Sequence, residues 1–304
     1  MKNYLEALQN CYQNGVDVLE DRTGVGRRKI FGQQLRFKLS EGFPIMTTKK
    51  VNTDAVVHEL LWLLSGSTNI EYLVQNKVKI WTEWVFDPYL KANNLAEQFP
   101  RYSPEWNEKM KEFSEKVATD HDFALQWGEL GPTYGKQWRD FNGVDQILQA
   151  QNLLRENPSS TRIIVSAWNP WEANEVTLPP CHSLFQFNSF VDKEGKKRLV
   201  LELYMRSADA FLGVPFNITS YATLAHMMAQ TTNHIADELI IHFNDFHVYL
   251  NHFEAVETQL KRTPKALPVL KLNPEVKDIL DFRFEDIAVV GYDPDPFIKA
   301  QVAV

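Results

Sequence analysis

Cysteine is scarce in this sequence, in which only Cys11 and Cys181 occur among 304 residues. Two cysteines so far apart, in such different surroundings, exclude a disulfide framework and a CxxC site for zinc or redox chemistry. Long apolar runs are also missing, because the longest, Leu60–Leu64, falls well short of the roughly 18 residues that span a membrane. The first residues are polar and lack the apolar core of a signal peptide, so we expect a cytoplasmic location.

Positive charge is not in excess either. The chain has 32 lysines and arginines against 39 aspartates and glutamates, with a formal net charge of -7. This balance argues against a nucleic-acid or anionic-membrane partner, so any anionic ligand must be held by local arginines. The eight histidines lack metal-ligand spacing such as His-Glu-x-x-His, and we expect no metal in the reaction.

Hydrophobic patterning predicts a mixture of helices and strands. Because they do not alternate strictly, an α+β fold is favoured over a doubly wound parallel sheet. The charged, aromatic segment 87–127 is interpreted as a surface insertion in one domain over residues 1–304, since it has too few residues to bury its own core. Helices are predicted over residues 3–19, 54–64, 105–117, 143–156, 217–233 and 251–261, and strands over residues 30–31, 35–39, 163–168, 185–191, 198–206 and 239–249.

The stretch Leu178–Phe187 places Cys181 behind two prolines, at the start of an apolar strand. A lone thiol in this position is a candidate nucleophile, and the alternative is a small buried hydrophobic residue. Successive side chains of a strand point to opposite faces, so His182 cannot easily act as the base for Cys181. A hairpin folded about Lys193–Glu194 would bring Cys181 within a residue of facing Arg206, whose charge would lower the pKa of the thiol.

Four other patterns offer candidate ligands. The glycine loop Arg22–Arg28 could hold a phosphate, or its arginines could simply be solvated. Glu59 lies on an apolar helix face and is either half exposed at the edge or functional with a raised pKa. Trp81 and Trp84 form a stacking wall for a planar ligand or are core residues. His247 and Tyr249 share one strand face, which leaves surface and core positions open as alternatives.

The segment Asp209–Asn217 combines an apolar, glycine-containing stretch with a polar residue at each end. We interpret its middle as a loop and Asn217 as the N-cap of the helix that follows.

Together these patterns resemble the folate-dependent thymidylate synthase family, and the matches run in order across nearly the whole chain. The segment 87–127 falls where longer members of that family carry an insertion. The matching segments are Asp21–Gly24, Phe43–Pro44, Thr47–Lys49, His58–Trp62, Tyr134–Arg139, Arg162–Asn169, Leu178–His182, Arg206–Asp209, Phe211–Tyr221, His247–Tyr249 and Gly291–Pro294.

The resemblance implies a large mixed β-sheet packed by helices, and a homodimer formed through the sheet. It also implies reductive methylation of dUMP to dTMP, with 5,10-methylenetetrahydrofolate consumed as donor of one carbon and a hydride. Cys181 would add to carbon 6 of uracil, which turns carbon 5 into a nucleophile; this covalent addition divides a difficult substitution into easier steps.

The resemblance further implies a role for each matching position. Catalytic roles fall to Cys181, Glu59, Tyr134, His182, Asn217 and Asp209. The dUMP ligands would be Arg22, Arg206, Ser207, Asn217, His247, Tyr249 and Arg162, the last reaching into the neighbouring subunit. The folate ligands would be Lys49, Trp81, Trp84, Asp209, Gly213, Phe216 and Val304, the last in a tail that closes over the bound ligands.

Two positions depart from the family pattern. Thr161 stands where the family usually has an arginine next to Arg162, and Met205 stands where it usually has glutamine. These departures keep a uracil-nucleotide hydroxymethylase open as an alternative, although Asn217 favours uracil over cytosine. The other alternative is an inactive nucleotide- or RNA-binding regulator. As for partners, no nucleic acid is expected, and the chain's own messenger RNA is the one exception left open.

Overall fold

The computed structural model describes residues 1–20 and 24–302, and the chain divides into two compact units. The first unit consists of Met1–Val57, Leu148–Val165 and Cys181–Val304. The second consists of His58–Ile147 and Ser166–Pro180. In the described ranges, no helix combines the length and the apolar character that crossing a bilayer demands. The single catalytic domain over residues 1–304 stays a prediction.

A seven-stranded mixed sheet is the main feature of the first unit. The strands are β1 Val16–Val18, β2 Arg27–Lys38, β3 Ile164–Ser166, β4 His182–Val191, β5 Lys197–Met205, β6 Ala208–Asp209 and β7 Ile235–Tyr249, with β8 Val269–Leu272 and β9 Ile287–Val290 as a separate pair. The strand order is β1-β2-β7-β5-β4-β3, and β6 pairs with β7. Strand β7 runs parallel to β5 and β6, whereas β1/β2, β2/β7 and β4/β5 are antiparallel. The α+β class with a mixed sheet is therefore confirmed.

Helices account for most of the remaining regular structure. The helices are α1 Lys2–Asn14, α2 Thr53–Leu64, α3 Glu71–Gln75, α4 Thr82–Ala92, α5 Pro104–Thr119, α6 His121–Trp127, α7 Tyr134–Arg139, α8 Gln146–Glu156, α9 Gly213–Thr231 and α10 Phe253–Leu260, with short 3-10 turns at Leu39–Glu41, Leu250–His252 and Phe284–Asp286. The predicted helices over residues 54–64 and 105–117 are confirmed as α2 and α5.

Strand β5 shows how the sheet acquires two different faces. Leu199, Leu201 and Leu203 are fully buried, on the face where α9 packs. Glu202 and Tyr204 alternate with them and remain partly exposed. Because side chains alternate across a strand, this pattern covers one face of the sheet and leaves polar and aromatic groups on the other.

Two predicted helix boundaries were wrong by four residues or more. The first helix ends at Asn14, because Gly15 adopts an extended backbone, and Val16–Val18 pairs with β2. A Cβ at Gly15 would lie 2.5 Å from the carbonyl oxygen of Cys11, so a glycine is needed there. Helix α9 begins at Gly213, so Asn217 lies inside it and is not a cap. The stretch interpreted as a loop contains Pro215, which is tolerated in the first turn of a helix because the N–H it lacks has no partner there.

The segment 87–127 belongs to the second unit and packs through aromatic rings. Trp106 and Phe113 are buried, and their ring centroids lie 5.4 Å and 5.2 Å from that of Phe86. Helix α5 is capped by Ser103, whose side chain accepts a hydrogen bond from the Trp106 backbone N–H. The aromatic cluster thus ties the segment to α4; its interpretation as a surface insertion stays a prediction.

Candidate active site

The hairpin of β4 and β5 positions Cys181. The backbone N–H of Arg206 donates to the Cys181 carbonyl oxygen at 2.9 Å, and His182 pairs with Met205 in the next register position. The Asp192 carboxylate fixes the turn by accepting hydrogen bonds from the backbone N–H groups of Glu194 and Lys196. The predicted pairing of Cys181 with Arg206 is therefore confirmed, whereas the nucleophilic role of the partly buried thiol stays a prediction.

His182 is held by groups from helix α9. Its Nδ1 lies 3.2 Å from the Tyr221 hydroxyl, and its ring also hydrogen-bonds to the Asn217 side chain. Burial lowers the pKa of His182 to about 4, and the Asn217 hydrogen bond opposes this only in part. A ring with so low a pKa is a weak base, in agreement with the expectation that His182 does not deprotonate Cys181. Tyr221 lies four residues after Asn217 on one helix face, a spacing that could have revealed it.

The segment after β6 brings Asp209, Gly213 and Asn217 together. Oδ1 of Asp209 accepts hydrogen bonds from the backbone N–H groups of Phe211 and Leu212, at 2.9 and 3.1 Å. A Cβ built on Gly213 would lie 3.7 Å from both Asn217 Oδ1 and Asp209 Cβ. Helix α9 therefore starts beside the carboxylate and carries the amide one turn later, with Phe216 partly buried next to it in sequence.

Two side chains from other parts of the first unit donate hydrogen bonds to the backbone between β6 and α9. The buried Tyr4 hydroxyl donates to the Ala210 carbonyl oxygen at 2.9 Å. The ammonium of Lys49 donates to the Phe211 carbonyl oxygen and lies 3.6 Å from the centroid of the Phe211 ring. Burial lowers the pKa of Lys49 to about 7, with the Asp209 charge acting in the opposite direction. Lys49 is thus a buried amine, and its predicted attraction for a folate glutamate stays a prediction.

His247 and Tyr249 are buried on β7, so the surface alternative is wrong for both. Their ring centroids are 5.0 Å apart in an edge-to-face arrangement. Nδ1 of His247 lies 2.7 Å from Oδ1 of Asp245, a residue that our sequence reasoning missed. The signal was available, since Asp245 precedes His247 by two residues and therefore shares its strand face.

The second unit assembles a separate group around Glu59. The Trp81 indole N–H donates to the Glu59 carboxylate at 2.7 Å, and the Trp81 ring packs edge-on against Tyr134 with centroids 6.1 Å apart. Glu59 is only 8% exposed, so the half-exposed alternative is wrong. Burial raises the pKa of Glu59 to about 7, and the Trp81 hydrogen bond lowers it only in part. Trp84 follows in the first turn of α4 and is partly buried.

The arginines and the serine that we predicted to bind phosphate lie in different environments. Arg22 and Val304 lie outside the described residues, Arg206 and Ser207 are partly buried after β5, and Arg162 is exposed. The other two arginines of the loop form ion pairs: Arg28 with Asp17 at 2.6 Å and Arg27 with Asp245 at 3.7 Å. Over residues 1–20 and 24–302, no cluster of three or more His, Cys, Asp or Glu side chains could hold a metal ion.

Comparison with known proteins decides the family. The sequence model for thymidylate synthase matches residues 2–304. The chain belongs to the thymidylate synthase family. Thymidylate synthases from Aster yellows witches'-broom phytoplasma and Mycoplasma mobile are each 47% identical to it over 304 residues, covering 100% of both chains. The one from Listeria monocytogenes is 45% identical over 320 residues, again with 100% of both chains covered. Membership makes the chain a folate-dependent methyltransferase that uses methylenetetrahydrofolate as co-substrate.

Proposed function

We propose that this chain is a thymidylate synthase that converts dUMP to dTMP through a covalent adduct at Cys181. The observation that carries the proposal is the family match over residues 2–304, in which Cys181 follows the two prolines of the motif. The pairing of Cys181 with Arg206, and the contact of His182 with Asn217, support it from the geometry of the first unit.

Cys181 acts as the nucleophile in this proposal. Its thiolate forms a bond to carbon 6 of uracil, and the displaced electron pair makes carbon 5 nucleophilic. The backbone bond from Arg206 holds the Cys181 peptide at the end of the hairpin. The positive charge of Arg206 favours the thiolate over the thiol, because an adjacent cation stabilises the ionised form.

Asn217 recognises the uracil edge, because an amide offers both the donor and the acceptor that the base requires. His182 supports the same hydrogen-bond network as a neutral ring, which its low pKa ensures. Glu59 exchanges protons near the uracil carbonyl oxygen through water, and a pKa of about 7 suits a group that must both bind and release a proton. Tyr134 assists removal of the proton from carbon 5.

The phosphate of dUMP is an obvious target for arginine. Arg22, Arg206 and Ser207 hold it in our proposal, with Arg162 of a second subunit. His247 and Tyr249 bind the free hydroxyl of the sugar, since both are buried side by side on β7. A neighbouring arginine is replaced by Thr161, which removes one charge-assisted contact.

The folate, when bound, supplies the one-carbon unit and the hydride. Asp209 binds the pterin, whose N–H groups suit a carboxylate that the Phe211 and Leu212 N–H groups hold in place. Aromatic and small side chains suit the flat pterin and its linked ring. The residues proposed to hold the folate are Lys49, Trp81, Trp84, Asp209, Gly213, Phe216 and Val304.

A homodimer formed through the open face of the sheet completes the proposal. On that face, Tyr204 and His242 stack with ring centroids 4.5 Å apart, and Tyr204 is 37% exposed. An open cleft of about 450 Å³ there is lined by Tyr204, His242 and Arg206, among others. Exposed aromatic groups on a sheet face are typical of an interface between subunits. A cytoplasmic location stays a prediction.

The decisive experiment combines purified protein with dUMP and methylenetetrahydrofolate and follows dihydrofolate by absorbance. We expect turnover in the native chain and none in Cys181→Ser. Mass analysis of the nucleotide separates dTMP from a hydroxymethylated product. Absence of dihydrofolate would refute the synthase, and the relatives, all named thymidylate synthase, lend no support to the hydroxymethylase or regulator alternatives.

Sharing of sites between subunits is tested by mixing Cys181→Ser with Arg162→Ala and allowing the subunits to exchange. If Arg162 acts on the partner's phosphate site, the hybrid contains one site with both native residues and activity rises above that of either variant alone. Activity that stays at the average of the two parents would show that Arg162 acts within its own subunit or not at all.

A further inference from the structure

The pair formed by Asp245 and His247 leaves one imidazole nitrogen unexplained. His247 is 3% exposed, and in the described part of the chain its buried Nε2 has no hydrogen-bond partner. Its Nδ1 lies 2.7 Å from Asp245 Oδ1. A buried nitrogen without a hydrogen-bond partner destabilises the fold, so we infer that a polar group of a bound ligand forms the missing hydrogen bond.

Asp245 is held in its ionised form by two cations of β2. Lys29 Nζ donates to Asp245 Oδ2 at 2.9 Å, and Arg27 lies 3.7 Å from the same oxygen. Burial alone would raise the pKa of Asp245, but the hydrogen bonds from His247 and Lys29 prevail and lower it to about 2. An ionised carboxylate can only accept hydrogen bonds. Nδ1 of His247 must therefore carry the hydrogen.

The strand register explains why these groups meet. Lys29 pairs with His247 across β2 and β7, and Arg27 pairs with Tyr249. On the other side of β7, Asp209 pairs with His247, but its carboxylate is engaged with the N–H groups of its own segment. Over residues 1–20 and 24–302, the charged groups near His247 thus include two cations on β2, the Asp245 carboxylate and Asp209.

We propose that Asp245 is a positioning residue that fixes the tautomer of His247, so that Nε2 accepts a hydrogen bond from the sugar 3′-hydroxyl of dUMP. In a neutral ring whose Nδ1 is protonated, Nε2 is an acceptor. This inference rests on the proposed function, since dUMP has one unesterified sugar hydroxyl and it is at carbon 3′. The site therefore selects a ligand that donates a hydrogen bond at that position.

The test compares dUMP with its 2′,3′-dideoxy analogue in the native chain, Asp245→Asn and Asp17→Asn. The native chain should bind dUMP about tenfold more tightly than the analogue, because the analogue leaves buried Nε2 unpaired. In Asp245→Asn the amide can donate to Nδ1, which allows the tautomer with hydrogen on Nε2, and that nitrogen then no longer accepts from the sugar hydroxyl. Affinity for dUMP should therefore fall about tenfold, while affinity for the analogue is unchanged. Asp17 pairs with Arg28 on the surface, and its substitution by Asn should preserve the discrimination.

Steady-state kinetics and nitrogen NMR add readouts that simple destabilisation would not produce. The Asp245→Asn effect should fall on KM for dUMP more than on kcat, because the lost bond is remote from the reacting carbons. The ¹⁵N spectrum of the native chain should show Nδ1 protonated and Nε2 unprotonated in His247, and this measurement stands even if the variant does not fold.

Protonated Nε2 in the neutral native ring, or tenfold discrimination retained by Asp245→Asn, would overturn the inference. A native chain that produces dihydrofolate but gives either result refutes the role of Asp245 alone. A native chain that neither binds nor converts dUMP refutes the proposed function and this inference with it.

Discussion

The hydrogen bond from Trp81 to Glu59 makes the titration of the buried carboxyl sensitive to a single substitution. In Trp81→Phe the ring remains aromatic but the indole N–H that lies 2.7 Å from the carboxylate is lost. That donor stabilises the ionised form, while burial favours the neutral form and already raises the pKa to about 7. Without the donor, burial acts unopposed and the pKa of Glu59 should rise further.

The size of the rise follows from the strength of the lost bond. Hydrogen bonds to charged groups contribute about 1.5–3 kcal/mol, and one pKa unit corresponds to about 1.4 kcal/mol. The pKa of Glu59 in Trp81→Phe should therefore be higher by about one to two units. At neutral pH the carboxyl of the variant would be almost entirely protonated, so the proton exchange that we propose for Glu59 would be impaired.

The assay is a pH titration of the native chain and the variant by ¹³C NMR of labelled glutamate, with Glu59→Gln identifying the signal. The pH dependence of kcat should move in the same direction. Trp106→Phe is a matched control, since this buried tryptophan of the same unit belongs to the aromatic cluster with Phe86. A Glu59 titration midpoint that is unchanged in Trp81→Phe would refute the reasoning.

Three further outcomes are expected. The raised pKa of Glu59 stabilises the fold below about pH 4.5, and that contribution is lost as pH rises through 7. Relative to Glu59→Gln, the unfolding free energy should therefore fall by about 3–4 kcal/mol, from roughly 2.5 pKa units at 1.4 kcal/mol each, and parallel curves of unfolding free energy against pH would contradict this. Tyr4→Phe leaves the Ala210 carbonyl unpaired and should lower the unfolding free energy by about 1–2 kcal/mol in urea; no change would contradict the bond. Thr161→Arg should lower KM for dUMP about tenfold by restoring a charged contact, and an unchanged KM would show that Thr161 costs no affinity.

The parts of the fold that the sequence predicted are those with strong local signals. The β4–β5 hairpin was predictable because Asp192–Gly195 is a turn signal between two apolar strands, and that register alone placed Cys181 opposite Arg206. Helix α2 was predictable because an apolar run ends at Ser65–Gly66. In both cases neighbouring residues in the chain carry the whole signal.

The contacts that were not predicted join residues distant in sequence. The Glu59–Trp81 bond crosses 22 positions, and the Tyr4–Ala210 bond crosses 206. No periodicity encodes such pairs, because they depend on how elements pack after they form. The lowered pKa of Lys49 could not be predicted from the sequence either, because a lysine is expected at the surface. Only the packed structure shows that its amine is buried against the Phe211 ring.

The position of Asn217 within helix α9 has an evolutionary consequence. Helix α9 starts at Gly213, with Leu212 as its first flanking residue and without a side-chain cap. An exchange of the amide for a carboxylate at position 217 would therefore leave the helix start intact while replacing a donor and an acceptor by acceptors alone. If Asn217 reads the base as we propose, base preference on this scaffold can change by a single substitution that selection judges by the choice of nucleotide and hardly by folding.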